Sequence, residues 1–591
     1  MDQVQFQQKS WDLTDILPAY SSPEFEAEQE KLNDSVDKLQ SMEGMLSPQV
    51  PIDDFVRALR LYEGIKANTA RFTTYALLFF RQHTSNSVAK TFQTQMDNFK
   101  ADVSNKTFFF EYWLIQLDDN TRNRLMKDLN PDDRYYVRSL GKMRPHTLSL
   151  EAEKQREIDN VTGVNKWVQF YIQKVGKLRF TLQIDGKERT LNEGETTSLW
   201  YSRNSKERVD SYTSWLWEHE KIADELGDIY MTIMMDWHND NIKRRHYPTP
   251  ISAFNLKNEI PDEVADLVLS KCRENSGIFR KFFSLKEKML GMEKMSRYHI
   301  FVPLIRSEKK YQYSDTVNLV LDVFNSFDRK LGDLARRMYE EDHVDAENRE
   351  NKYSGAYCEW PNPNITPYVS YVHTGSFDNV LSNVHELGHG THTILASKHS
   401  HLVFSPQTPV AEIGSGFPEL LLLEKLNEME KDIEIKKDLL VLTLNRCYRG
   451  IPRQAYFTIF ERDAHDSLEK GVTVDDLAKL YLSNLKEQFG DSVYVPENFK
   501  WEFLGIPHIF KTPFYCYSYS FANLLAISLY KQFKEEGESF KPKYINLLSY
   551  GGSKSPEMML SEVGADIRSG DFWQGGFNII DGMVNELGKY K

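Results

Sequence analysis

Cysteine is scarce: the chain of 591 residues holds four, Cys272, Cys358, Cys447 and Cys516, with no C-x-x-C pair among them. That scarcity excludes a disulfide framework and fits unpaired thiols in a reducing compartment. A surplus of positive charge is missing as well. With 73 Lys and Arg against 86 Asp and Glu, the formal net charge is −13. This argues against a nucleic-acid partner and against an anionic membrane surface, both of which call for a dominant basic face. The start, MDQVQFQQKSWDLTD, has neither the apolar core of a signal peptide nor the arginine-rich, acid-poor bias of a transit peptide, so a cytoplasmic protein is expected. The long uncharged run from Thr512 to Tyr530 is broken by tyrosines, serines and an asparagine. It reads as a buried helix with a polar face, not as the roughly 20 apolar residues that span a bilayer. Internal repeats, low-complexity tracts and proline-rich linkers are absent.

What is present is apolar and helical. Hydrophobic residues make up 40% of the chain and aromatics 13%, enough to fill a large core or several. Phe55, Leu59, Tyr62 and Ile65 recur at steps of four, three and three, a stripe that packs helix on helix. Pro51 ahead of it and Ser555-Pro556-Glu557 read as helix starts, with serine as cap and proline at the first helical position. Strand signals are few. Arg179 to Leu191 alternates around Asp185-Gly186, a hairpin signal. Pro367 to Gly375, PYVSYVHTG, alternates too and is expected to offer an edge strand to an extended peptide, an interior strand being the alternative. Cys358 to Pro367 reads as loop, its prolines and asparagines interrupting both periods.

The segment Asn383 to Thr393 reads NVHELGHGTHT. Its H-E-x-x-H places His385 and His389 four residues apart, one above the other on a helix of 3.6 residues per turn. Glu386 projects about 100° round the helix, where it can hold a metal-bound water instead of the metal. With histidine at 15 of 591 positions, such a motif arises by chance in roughly a few per cent of chains. The preceding strand signal and Thr374-Gly375-Ser376 strengthen it.

A third ligand is required. The metzincin spacing wants glycine at 392 and histidine at 395, and this chain has His392 and Leu395. On one straight helix His385 and His392 lie about 10 Å apart, so His392 is read as lining the cleft, direct ligation being the alternative. Glu412, in TPVAEIGSGFPELLLLEKL, completes a His2Glu set that leaves a fourth position open. Its neighbours Val410, Ala411, Ile413 and Gly414 suit a buried acid. Glu419 either supports a ligating histidine through its other ring nitrogen or forms an ordinary salt bridge.

HELGHGTH followed by AEIGSGFPE resembles the paired motifs of oligoendopeptidase F and the wider thimet-oligopeptidase-like family of zinc peptidases. WDLTDI at Trp11, EIDNVTGVNKW at Glu157, SGAY at Ser354, IPHIFKTPFYCYSYS at Ile506 and DFW at Asp571 extend the likeness over nearly the whole chain. The resemblance implies a mainly α, two-lobed zinc metallopeptidase with a deep central channel and a small β element beside the active-site helix. It implies an N-terminal helical region over residues 1–190 and a catalytic region over 191–591. One Zn2+ per chain is implied, on His385, His389 and Glu412, with Glu386 as general base, acting on short unstructured peptides. His508 and tyrosines after it, Tyr515 and Tyr517 being assigned, are implied to bind the scissile carbonyl oxygen. Gly390-Thr391, Gly416 and Pro418 depart from the residues common in the family, which leaves the ligands intact and bears on substrate preference.

An endopeptidase is the expected activity, with hydrolysis of internal peptide bonds. The alternatives are a carboxy-terminal dipeptidase on the same scaffold and a catalytically silent peptide-binding scaffold. An aminopeptidase of comparable ligand set would carry G-x-M-E-N, which GMEKM at Gly291 does not match.

Overall fold

Helices supply nearly all the regular structure of the computed structural model, which describes residues 5–304 and 309–590. The mainly α expectation holds. The stripe from Phe55 to Ile65 falls on the helix Ile52–Gln82, and all four of its residues are buried. They pack with Phe110 and Leu114 of the following helix, Ser87–Gln116. Pro51 is the N-cap itself, whereas Ser555 caps its helix from Pro556 as the sequence indicates, accepting the Met558 amide proton.

The chain divides into two compact units, each built from three separate stretches. Met1–Pro145, Lys309–Lys425 and Gln532–Ala565 form the first. Its core joins the helices just named to Trp11 and Tyr368, whose rings meet edge to face at 5.8 Å. His146–Glu308, Leu426–Lys531 and Asp566–Lys591 form the second. Its interior holds Trp215, Tyr230, Phe460 and Phe503, and the buried ion pair of Arg297 with Glu502. The hairpin signal falls in this unit: Phe180–Ile184 pairs antiparallel with Lys187–Leu191. Asp185 and Gly186 both take positive φ, 52° and 73°, as a two-residue turn of this hand requires.

The β element of the first unit has three short strands in the order Val344–Asp345, Tyr368–Ser370, Tyr357–Glu359. Two expectations change here. Tyr368–Ser370 is the central strand, parallel to one neighbour and antiparallel to the other, so its backbone is already paired and it offers no edge. Cys358 and Glu359, read as loop, belong to the edge strand instead. Their alternation is too short to stand out beside the prolines that follow.

The helix Phe377–Ala396 carries the H-E-x-x-H motif, and its start is set by local chemistry. Gly375 takes φ +84°, a turn that needs glycine. Ser376 and Asn379 then form a reciprocal capping box. The Asn379 side-chain oxygen also accepts the Thr374 amide proton at 2.7 Å. Ser376→Ala should cost the first unit about 1 kcal/mol, seen as a lowered denaturation midpoint with an unchanged slope in urea.

Candidate metal centre

Four residues along a helix bring two imidazoles to one place: His385 Nε2 and His389 Nε2 lie 3.2 Å apart. Glu412 Oε2 lies 3.3 Å from the first and 3.4 Å from the second. The three atoms form a nearly equilateral triangle. In a tetrahedral site with bonds of about 2.0–2.1 Å, donors stand about 3.3–3.4 Å apart, so the triangle has the size of one face of a zinc tetrahedron. Two neutral nitrogens and one carboxylate are also a donor set that zinc takes. Among the described residues this is the one group of three or more His, Cys, Asp or Glu spaced to hold a metal ion.

Glu412 reaches the histidines because two glycines let two backbones touch. It sits between the short turn Thr408–Ala411 and the helix Ile413–Met429. A Cβ on Gly388 would lie 2.3 Å from the Gly414 carbonyl oxygen and 2.7 Å from Ser415 Cα. A Cβ on Gly414 would lie 2.7 Å from His392 Cβ and 3.0 Å from the Gly388 carbonyl oxygen. Any side chain at either position would push the carboxylate away from the imidazoles. Pro418, inside the second helix, has no N–H to give the Gly414 carbonyl four residues back.

His385 Nδ1 donates to Glu419 Oε1 at 2.6 Å, which leaves Nε2 as the lone-pair nitrogen facing the triangle. The surroundings favour positive charge. Burial opposes protonation of His385, but the Glu419 hydrogen bond and the charges of Glu412 and Glu386 overcome it and push the imidazole up to about 9. Burial likewise raises the Glu412 carboxyl, yet His389, His385 and the Ser415 hydroxyl together hold it well below the usual range. A divalent cation would take the place of that proton. Glu386 is buried at 6% exposure. Burial raises its carboxyl, the two histidines pull the other way, and Glu412 and Glu419 add to the rise.

His392 does not line a cleft. It is 5% exposed, packs on Gly414, and bonds the Ala411 carbonyl, with burial lowering it to about 4. It braces the Glu412 segment and stands apart from the triangle.

In the second unit His508, Tyr515 and Tyr519 form an aromatic cluster. The rings of His508 and Tyr515 are parallel with centroids 5.9 Å apart, and Tyr519 meets them edge-on at 5.8 and 5.3 Å. Tyr517 is not part of it. It is fully buried, and its hydroxyl donates to Asn255 Oδ1 at 2.5 Å. The helix begins at Tyr517, not at Thr512, and left-handed Phe514 precedes it. Tyr515 therefore lies off the helix, and Tyr519 is the residue brought beside it. Helical period by itself pairs Tyr515 with Tyr519, four residues on, and sets Tyr517 about 200° away, so a signal for Tyr519 was present in the spacing. Gly388 and Gly414 gave no such signal, since close approach is a property of two segments at once.

Helices around an H-E-x-x-H triangle with a carboxylate from just before a second helix define the class of metallopeptidases. Residues 198–579 match Peptidase family M3, and the chain belongs to that family, whose members hydrolyse peptide bonds. It is 23% identical to Oligopeptidase PepF of Bacillus subtilis (strain 168) over 592 residues, 98% of this chain and 86% of that one. It is 23% identical to Group B oligopeptidase PepB of Streptococcus agalactiae serotype III (strain NEM316) over 597 residues, 98% and 96% of the two chains. Among solved structures, a putative peptidase from Chlamydophila abortus matches with a TM-score of 0.84 at 21% identity, covering 98% of each chain. Oligoendopeptidase-F from Enterococcus faecium matches with a TM-score of 0.73 at 21% identity, over 96% of this chain and 98% of that one. Among the described residues no helix is long and apolar enough to cross a membrane.

Two substitutions test the geometry. Glu419→Gln should weaken zinc affinity about 10- to 100-fold, measured by chelator competition, and should also lower the melting temperature of the metal-free protein near neutral pH, because it removes the charged acceptor that helps raise His385. Gly388→Ala should lose zinc binding more completely and cost about 1–3 kcal/mol of stability through overpacking, read by the same competition together with thermal melting.

Proposed function

We propose that the chain is a zinc-dependent endopeptidase that cuts internal bonds of short unstructured oligopeptides, with one zinc on His385 Nε2, His389 Nε2 and Glu412 Oε2. The observation that carries this reading is the triangle of donor atoms with sides of 3.2, 3.3 and 3.4 Å. Zinc, when bound there, supplies Lewis acidity that polarises the scissile carbonyl and acidifies water.

The protein's own groups do the rest. Glu386 accepts the proton of the attacking water and returns it to the leaving amine, a role served by a carboxyl that burial raises above its ordinary value. Glu419 holds His385 in the tautomer that presents Nε2. His508 and Tyr515, with Tyr519 in place of Tyr517, donate to the oxygen that gains negative charge. The clustering of these three rings supports that assignment. The edge strand Tyr357–Glu359 pairs with the extended substrate through its main chain. It packs beside the motif helix, since a Cβ at Gly390 would meet Cys358 Sγ at 3.8 Å. Backbone pairing of this kind tolerates many side chains. The same reading assigns residues 1–190 to an N-terminal helical region and 191–591 to the catalytic region.

Mass spectrometry of short end-blocked peptides separates the readings. The zinc-loaded protein should release internal fragments, the chelated protein none, and Glu386→Gln should retain zinc while losing about 10²- to 10⁴-fold in kcat. Cleavage only of peptides with free carboxy termini would replace the endopeptidase with a dipeptidase, and no cleavage by folded, zinc-loaded protein would leave a binding scaffold.

A further inference from the structure

The aromatic cluster of the second unit depends on an unusual turn. His508 lies on the short helix Pro507–Lys511, and the next helix starts at Tyr517. The link between them passes through Phe514 at φ +63°, a left-handed conformation that non-glycine residues rarely adopt and that persists only where the surroundings hold it. The Phe514 ring is fully buried, with the rings of His465 and Trp237 at 4.9 and 6.2 Å. Tyr515 follows at once, its amide donating to the Thr512 carbonyl oxygen at 3.2 Å. The turn therefore decides whether the Tyr515 ring folds back onto His508.

One side chain grips the strained residue by its backbone. Glu461, on the helix Pro452–Ser467, is 1% exposed, and its Oε1 accepts the Phe514 amide proton at 2.8 Å. Its other oxygen, Oε2, is buried and meets no hydrogen-bond partner among the described residues. A buried acid in this position is costly to keep unless it does something. Burial pushes the carboxyl up to about 8, the Phe514 amide offsetting part of the rise, so at neutral pH the group is mostly the uncharged acid. Its geometry serves the turn.

We propose that Glu461 is a positioning residue: by accepting the Phe514 amide proton it holds the left-handed turn that folds Tyr515 onto His508 and sets it beside Tyr519. The catalytic consequence rests on the reading of those three side chains as donors to the developing oxyanion, whereas the positioning itself does not.

The test uses the full-length, zinc-loaded protein labelled with meta-fluorotyrosine, the Tyr515 and Tyr519 resonances being assigned with Tyr515→Phe and Tyr519→Phe. Glu461→Gln keeps an oxygen acceptor in place, Glu461→Asp withdraws it by one methylene, and Glu461→Met removes it. The aspartate variant retains an acid in the same pocket, which guards against a methionine variant that does not fold. Glu461→Asp and Glu461→Met should shift the Tyr515 fluorine resonance and lower kcat about tenfold or more, with KM within about twofold, the signature of misplaced transition-state donors. Glu461→Gln should restore both. A Tyr515 resonance unmoved in folded Glu461→Asp, or one as disturbed in the glutamine variant as in the methionine variant, overturns the proposal. A resonance that moves and is restored by glutamine while kcat stays constant supports the positioning role and removes the oxyanion assignment.

Discussion

The candidate metal centre depends on the contact of two helical backbones at Gly388 and Gly414. A histidine pair four residues apart comes from any helix with that spelling, but it supplies two donors, and the third has to come from another segment. The approach is closer than side chains allow: a single methyl on Gly388 would fall 2.3 Å from the Gly414 carbonyl oxygen. Glu412 stands two residues before Gly414 and is carried in with it. His392 then closes the contact from the other side, its imidazole filling the space against Gly414 and bonding the Ala411 carbonyl. Tetrahedral metal sites tolerate errors of only a few tenths of an ångström, so on the proposed reading the packing of His392 matters as much as the placing of a donor.

Charge follows from this packing. Three carboxylates and two imidazoles share a partly closed space. Glu412 and Glu419 are each committed to a histidine by distance, and Glu386 is not. The result is a division of labour among chemically identical groups. One carboxylate is held ionised by the imidazoles and the Ser415 hydroxyl, one orients a ring, and the third is raised by burial, which suits a group that takes and returns a proton. On the proposed reading, position and not residue type assigns each role.

Much of this was legible beforehand because helices advertise themselves locally. The stripe Phe55, Leu59, Tyr62 and Ile65, the Ser555 cap, the Asp185-Gly186 turn and the H-E-x-x-H spacing all act within a few residues, and each appears where its spelling indicated. The strand Tyr368–Ser370 shows where such signals stop. Alternation reports that a segment is extended, but central and edge strands of a short buried sheet alternate alike, and the pairing of Tyr368–Ser370 on both sides is decided by its neighbours. The aromatic cluster failed in another way. The i, i+4 spacing pairs Tyr515 with Tyr519 and not with Tyr517, but the start of the helix only at Tyr517, after one left-handed residue gripped by a carboxyl 53 positions away, is written in no local period.

The sequence by itself determined the mainly α class, the identity of the two histidines and their glutamate, and the expectation that Glu412 joins them, since helical period and ligand chemistry are properties of short strings. Tertiary structure alone decided that His392 serves packing, that Phe514 turns left-handed ahead of Tyr515, and that Tyr357–Glu359 is an outer strand of the small sheet with Tyr368–Ser370 at its centre. Each of these turns on which surface of one segment meets another, a fact about pairs of distant residues that no local pattern contains.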